Sequence, residues 1–187
     1  MINKHQSLKG FTLVELLVVI GILAILTAAV VIILNPAELL RQARDGQRFS
    51  DFDSVRNSIS LYLSSVTNPV IGDGPYSMNG TNCYSIITAG CTANSSTTID
   101  GTGWIAINFN DLASFGLNSP LSALPIDPIN NATYHYAYAG NAGNKYYELN
   151  TILESSKFTS VSNNKMSTDG GNSSTIYEVG NAPALSL

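Results

Sequence analysis

Glu15 is the residue whose type and setting most need a chemical explanation. It lies in FTLVELLVVIGILAILTAAVVIIL, Phe11 to Leu34, which carries no other charge. A carboxylate in a lipid-spanning helix costs about 2–3 kcal/mol near the centre and less near an end. No basic side chain stands between Lys9 and Arg41 to offset it. Cys83 and Cys91, in CYSIITAGC, suit a small disulfide loop in an oxidising compartment, with two buried thiols as the alternative. Asp127 and the turn Asp169-Gly170-Gly171-Asn172 offer oxygen ligands of the kind calcium takes. Their spacing resembles no complete cage, so the expectation is no bound metal and no other cofactor. His135 falls in an alternating, strand-like segment with no Ser or Cys placed as its partner, and His5 lies in the basic N-terminal stretch. No Gly-rich phosphate loop, paired-His metal motif or dinucleotide fingerprint is present. No catalytic residue is therefore expected, and the protein does not read as an enzyme. The Asn-x-Ser/Thr sites at Asn79, Asn94, Asn131 and Asn172 fit chance in so polar a composition.

The whole chain bounds these readings. Its 187 residues have room for one domain plus an anchor. With 44% hydrophobic and 12% charged residues it is not a disordered charged tail. Net charge is −4, and from Thr67 onward eight acids face three bases, so nucleic acid is not expected as a direct partner.

The elements that must position these residues begin with an anchor. The charge-free run Leu16 to Ala37 would form a helix of roughly 33 Å, against a hydrocarbon core of about 30 Å. A removed secretory signal fits less well, because the apolar run exceeds the usual ~7–15 residues, contains Glu15 and continues into further helical pattern. Lys4 and Lys9 before the span nearly balance Arg41, Arg44 and Arg48 after it, so charge does not set the orientation. Beyond the span, Phe52, Val55, Ile59, Tyr62, Leu63 and Val66 fall at three- and four-residue steps, the stripe of an amphipathic helix. Arg41 with Asp45, and Asp53 with Arg56, are spaced to pair on its wet face. Pro36 should kink the rod, and Gly46 is a second weak point. The reading is one long helix over 11–66, transmembrane over about 11–37. Asn68-Pro69 and Gly72-Asp73-Gly74-Pro75 end it.

The remainder, 67–187, reads as a β-rich head. Expected strands are Cys83–Ile87, Trp104–Phe109, Tyr134–Ala139, Tyr146–Thr151 and Ile176–Val179. A helical turn is expected over Asn110 to Gly116, and an irregular loop over SPLSALPIDP, Ser119 to Pro128. The fold class is α+β: a long N-terminal helix, half transmembrane and half amphipathic, packed on a small antiparallel sheet.

The residues KGFTLVELLVVIGILAIL, Lys9 to Leu26, resemble the prepilin signal of type IV pilins and type II secretion pseudopilins. The resemblance implies a leader over 1–10 and cleavage by a prepilin peptidase between Gly10 and Phe11. It also implies N-methylation of Phe11 and places Glu15 at the position of the family's assembly glutamate. LPIDP, Leu124 to Pro128, followed by a Tyr-rich strand, is similar to the same region of the major, G-type pseudopilins. Those bind calcium near the C-terminal end, where the present tail lacks an alignable run of acids. Pro36 also stands a few residues later than the usual pilin proline.

On this resemblance the function is that of a filament subunit, of a type IV pilus or a type II secretion pseudopilus. Its implied partners are further copies of itself in a helical homopolymer, minor pilins, the prepilin peptidase and an inner-membrane assembly platform. Gly21, Ala24 and Ala28 share a face that would allow close helix approach. The implied location is the inner membrane, single-pass with the head extracytoplasmic, and then an extracellular or periplasmic filament. The alternative is a single-pass anchored extracytoplasmic binding protein that does not polymerise.

Overall fold

Thr12, Glu15 and the long aliphatic run that follows specify the first helix, α1, Leu13–Leu34. The computed structural model of the chain describes residues 10–79, 83–84, 90–185 and 187. The residues before Gly10, which make up nearly all of the expected leader, lie outside that set, as do 85–87 of the expected strand at Cys83–Ile87. Two units emerge, Met1–Leu39 and Leu40–Leu187.

The first unit holds α1, which ends at Asn35 in the left-handed conformation (φ 42°). Asparagine tolerates that region better than most residues. The second helix, α2, Pro36–Ser65, begins at once. The expected single rod with a kink at Pro36 is therefore two helices, divided at Asn35. Pro36 supplies the reason. It has no N–H for the preceding turn and disfavours helical geometry in the residue before it, yet it suits the first position of a new helix. The Asn35 carbonyl accepts the N–H groups of Glu38 and Leu39 at 3.0 and 3.2 Å.

In the second unit the apolar stripe of α2 is the face that packs. Phe52, Val55, Ile59 and Tyr62 are fully buried, Leu63 and Val66 partly so. Gly46 lies within α2 without interrupting it. The stripe meets aromatic residues of the head, with ring centroids 5.0 Å apart for Phe52 and Tyr136 and 6.0 Å for Tyr62 and Phe109. Such contacts add to the area they bury.

Five strands form one sheet: β1 (Tyr76–Ser77), β2 (Thr92–Ala93), β3 (Ala137–Asn141), β4 (Tyr146–Thr151) and β5 (Tyr177–Gly180), in spatial order β2-β1-β3-β4-β5. All neighbours are antiparallel except β1 and β2, so the sheet is mixed rather than wholly antiparallel. The 78–91 connection is long enough to return the chain in the same direction, which a tight hairpin cannot do.

β4 occupies the expected span, and β5 is one residue displaced. β3 starts later than expected and is buried on both faces rather than one. Ala137 contacts Cys83 and Tyr84, which cover the face turned away from Tyr136 and Tyr138. Trp104–Phe109 is not a strand. It makes isolated bridges, Ile71 to Ile107 and Asp100 to Asn108, before a 3₁₀ helix over Phe109–Phe115 capped by Gly116. Adjacent Trp104 and Ile105 are both fully buried, which a two-sided strand with one wet face does not allow.

Candidate functional site

The N-terminal segment brings its polar groups together at one helix start. Thr12 is the N-cap of α1 and Glu15 its third residue. The Thr12 hydroxyl accepts the Glu15 N–H at 3.2 Å. The Glu15 carboxylate accepts both the Thr12 N–H at 2.9 Å and its hydroxyl at 2.7 Å. This is a reciprocal capping box, which satisfies helix-end donors that have no partner in the helix ladder. The T-x-x-E spacing of Thr12 and Glu15 is the signal for it in the sequence. Gly10 and Phe11 precede the cap, exposed and outside any helix or strand. Phe11 is 83% exposed.

Beyond the cap, Leu13–Val31 has a mean hydropathy of 2.8, and none of that window is buried by the chain itself. Length and composition therefore suit a membrane span. Gly21 has open space where a side chain would project.

The head contains one dense charged cluster, around Arg48. Its guanidinium is fully buried and grips Asp127 in bidentate fashion, Nε to Oδ2 at 2.7 Å and Nη2 to Oδ1 at 3.0 Å. Nη1 reaches Asp45 at 2.8 Å and Glu154 at 2.6 Å, while Arg44 pairs with Glu154 from the outside. Burial alone would lower the Arg48 pKa, but the hydrogen bonds it donates to Asp127, Glu154 and Asp45, with the charge of Asp127, override that and hold the group firmly charged. Burial would raise the Glu154 carboxyl; the two arginines instead hold it below its ordinary value. Asp45 also accepts the N–H groups of Glu154 and Ser155.

This corrects one expectation. Asp45 is fully buried and turns inward to Arg48, so it does not stand on the wet face of α2. Asp127 faces a guanidinium, a cation standing where a calcium ligand set would need its metal. Asp169 is elsewhere, with its oxygens accepting the N–H groups of Gly171 and Glu178 at 3.0 and 2.9 Å. The two aspartates have different partners and do not converge on a cage. Among the described residues no group of three His, Cys, Asp or Glu is arranged to hold a metal ion. The pair Asp53–Arg56 forms on the exposed face at 3.2 Å.

Cys83 and Cys91 are joined as a disulfide, Cα atoms 5.7 Å apart. Next to it Tyr84 stacks on the buried His135 ring, centroids 4.5 Å apart, and its hydroxyl binds the His135 main chain. His135 Nδ1 lies 3.0 Å from the Asn131 carbonyl. The histidine is built into the packing behind β3.

Comparison with known proteins bears on the N-terminal segment. No curated protein and no solved structure matched the chain. Residues 7–31, which contain the capped helix start and most of the apolar helix, match the prokaryotic N-terminal methylation motif. That motif is the N-terminal signal of pilin-like and pseudopilin precursors that prepilin peptidase processes. Through it the chain is identified as carrying the prepilin-type signal of type IV pilins and pseudopilins.

Proposed function

We propose that the mature chain is a filament subunit of a type IV pilus or a type II secretion pseudopilus. Prepilin peptidase cuts between Gly10 and Phe11, and the new Phe11 amine is methylated. The precursor waits in the inner membrane as a single-pass protein with its head outside the cytoplasm. On assembly α1 leaves lipid for a bundle of like helices, guided by minor pilins and an inner-membrane platform. The observation that carries this reading is α1 itself. It is apolar all round, unburied by its own chain, and begins with an acid beside the matched cleavage signal. A helix of that kind needs lipid or copies of itself around it.

In the filament, Glu15 would meet the Phe11 amine of a neighbouring subunit. That amine is largely protonated at neutral pH and stays basic after single methylation. In a low-dielectric bundle a matched pair is strong and a mismatched one costly, which would set the axial register of each arriving copy. Repetition of one heterologous contact gives an open helical polymer. The test is the intact mass of protein recovered from sheared filaments. A chain beginning at methylated Phe11 is the expected result; one retaining 1–10, or recovered only as a non-polymerised membrane protein, overturns the proposal.

A further inference from the structure

Glu148 and Glu178 are two buried acids that the filament reading leaves without a task. Glu148 lies in β4, and β5 runs beside it with Glu148 opposite Gly180 and Asn150 opposite Glu178. Only 1% of Glu148 and 2% of Glu178 is exposed. The register sets both side chains on one face of the sheet, one diagonal step apart across β4 and β5. Their hydrogen-bond partners are neutral. Asn150 donates to Glu148 Oε1 at 2.8 Å, the Leu187 N–H to Glu148 Oε2 at 3.2 Å, and the Ser173 N–H to Glu178 Oε2 at 2.8 Å. A side chain on Gly171 would collide with the Glu178 carboxylate, so main chain closes that side.

Among the described residues, no cation of the surrounding elements is ion-paired with either glutamate. β3 presents Ala139 opposite Glu148. The turn before β5 presents Asp169, another acid, whose carboxylate accepts the Glu178 N–H. Arg56 of α2 and Lys165 of a short 3₁₀ helix share a cavity of about 420 Å³ with Glu178. Neither forms an ion pair with either glutamate among the described residues.

Two bare carboxylates buried on one face of adjacent strands repel, and a proton on one of them relieves that repulsion. We infer that Glu148 and Glu178 form a proton-operated latch holding β5 to the sheet, closed while the pair shares a proton and loosened when both are ionised. β5 is at the edge of the sheet and pairs on one side only, so it is the strand such a latch can release. Burial, seconded by the charge of Glu178, raises Glu148 to about 7, and burial raises Glu178 as well. Carboxyls raised on folding contribute stability that is full below their ordinary range and is lost as pH rises through the folded value, here towards neutrality. This proposal concerns the head alone and stands whether or not the filament reading does.

The experiment is hydrogen–deuterium exchange of the full chain in detergent micelles, with chelator present and rates corrected for intrinsic pH dependence. The peptide over Tyr177–Gly180 is compared with one spanning Arg48. From about pH 5.5 to about pH 8.5 the β5 opening constant should rise roughly tenfold or more, with little change around Arg48. Glu148→Gln keeps a neutral hydrogen-bonding group and should leave β5 equally protected at both pH values. Glu178→Gln, the second variant, should flatten the response in the same way. Equal β5 protection in the wild type at both pH values, or an undiminished response in a correctly folded Gln variant, overturns the latch. Full restoration of wild-type protection at the higher pH by millimolar calcium also overturns it, by assigning the acids to a divalent cation.

Discussion

Glu15 opens an apolar helix and Arg48 lies buried in the head, and their neighbours treat them differently. Glu15 is held by its own helix start, through Thr12 and, among the described residues, no cation. It can therefore enter a bilayer edge without a partner and still exchange Thr12 for an amine later. Glu15→Val is expected to be inserted and cut like the wild type but to give few filaments, with Glu15→Asp intermediate, as measured by sheared-filament yield against total cell-associated protein. Wild-type filament yield from Glu15→Val would remove Glu15 from assembly. Arg48 is instead locked by three carboxylates. Arg48→Met should destabilise the head by about 3–5 kcal/mol, because it leaves buried acids unpaired. The pH response should invert. Glu154, held low by the arginines, contributes stability in the wild type that is present above the ordinary carboxylate range and lost as pH falls through its folded value. In Arg48→Met the same acids are relieved by protonation, so mild acid should narrow the gap in denaturation midpoint. The cluster was half legible. Arg48 stands four residues before Phe52 on the buried stripe, which marks it as inward. Its partners Asp127 and Glu154 lie 79 and 106 positions away, where spacing rules are silent, and the local i,i+4 rule pointed Asp45 to Arg41 instead.

Among the elements, those with a strong local period were read well. The α2 stripe packs as its spacing predicts, and β4 matches residue for residue. β1 and β2 span two residues each, too short to show a period, and owe their existence to partners far along the chain. The second burial of β3 was hidden for a similar reason. Its cover comes from Cys83, Tyr84 and Cys91, more than forty residues before β3 in the sequence. Replacing both cysteines by serine should therefore lower head stability by about 2–3 kcal/mol through the unfolded chain. It should also increase exchange at Ala137, whose packing against Cys83 is lost. Thiol labelling of the unreduced native protein should find no free cysteine, and two reactive thiols would refute the staple.

For the whole molecule, the division into two units is physically clear. Every residue of the buried clusters belongs to 40–187, and none of the apolar window in α1 is buried. A fragment beginning at Leu40 should therefore remain soluble and unfold cooperatively, with a midpoint within a few degrees of that measured for the head in the detergent-solubilised full chain. A fragment that stays molten or aggregated would mean that the head depends on residues before Leu40. Composition alone anticipates an anchor and a head, and the kink expected at Pro36 falls at a full break between two helices, a few residues before the units divide. At Asn35 one helical ladder closes and another opens: the carbonyl that would continue α1 serves α2, and Pro36 offers no hydrogen to the turn behind it. Helical order propagates through that ladder, so cooperativity stops there. Translation can accordingly deliver α1 to the bilayer while α2 is still unstructured, and α2 can later coil onto the head without reference to the state of α1. Fraying begun in either segment ends at the same residue.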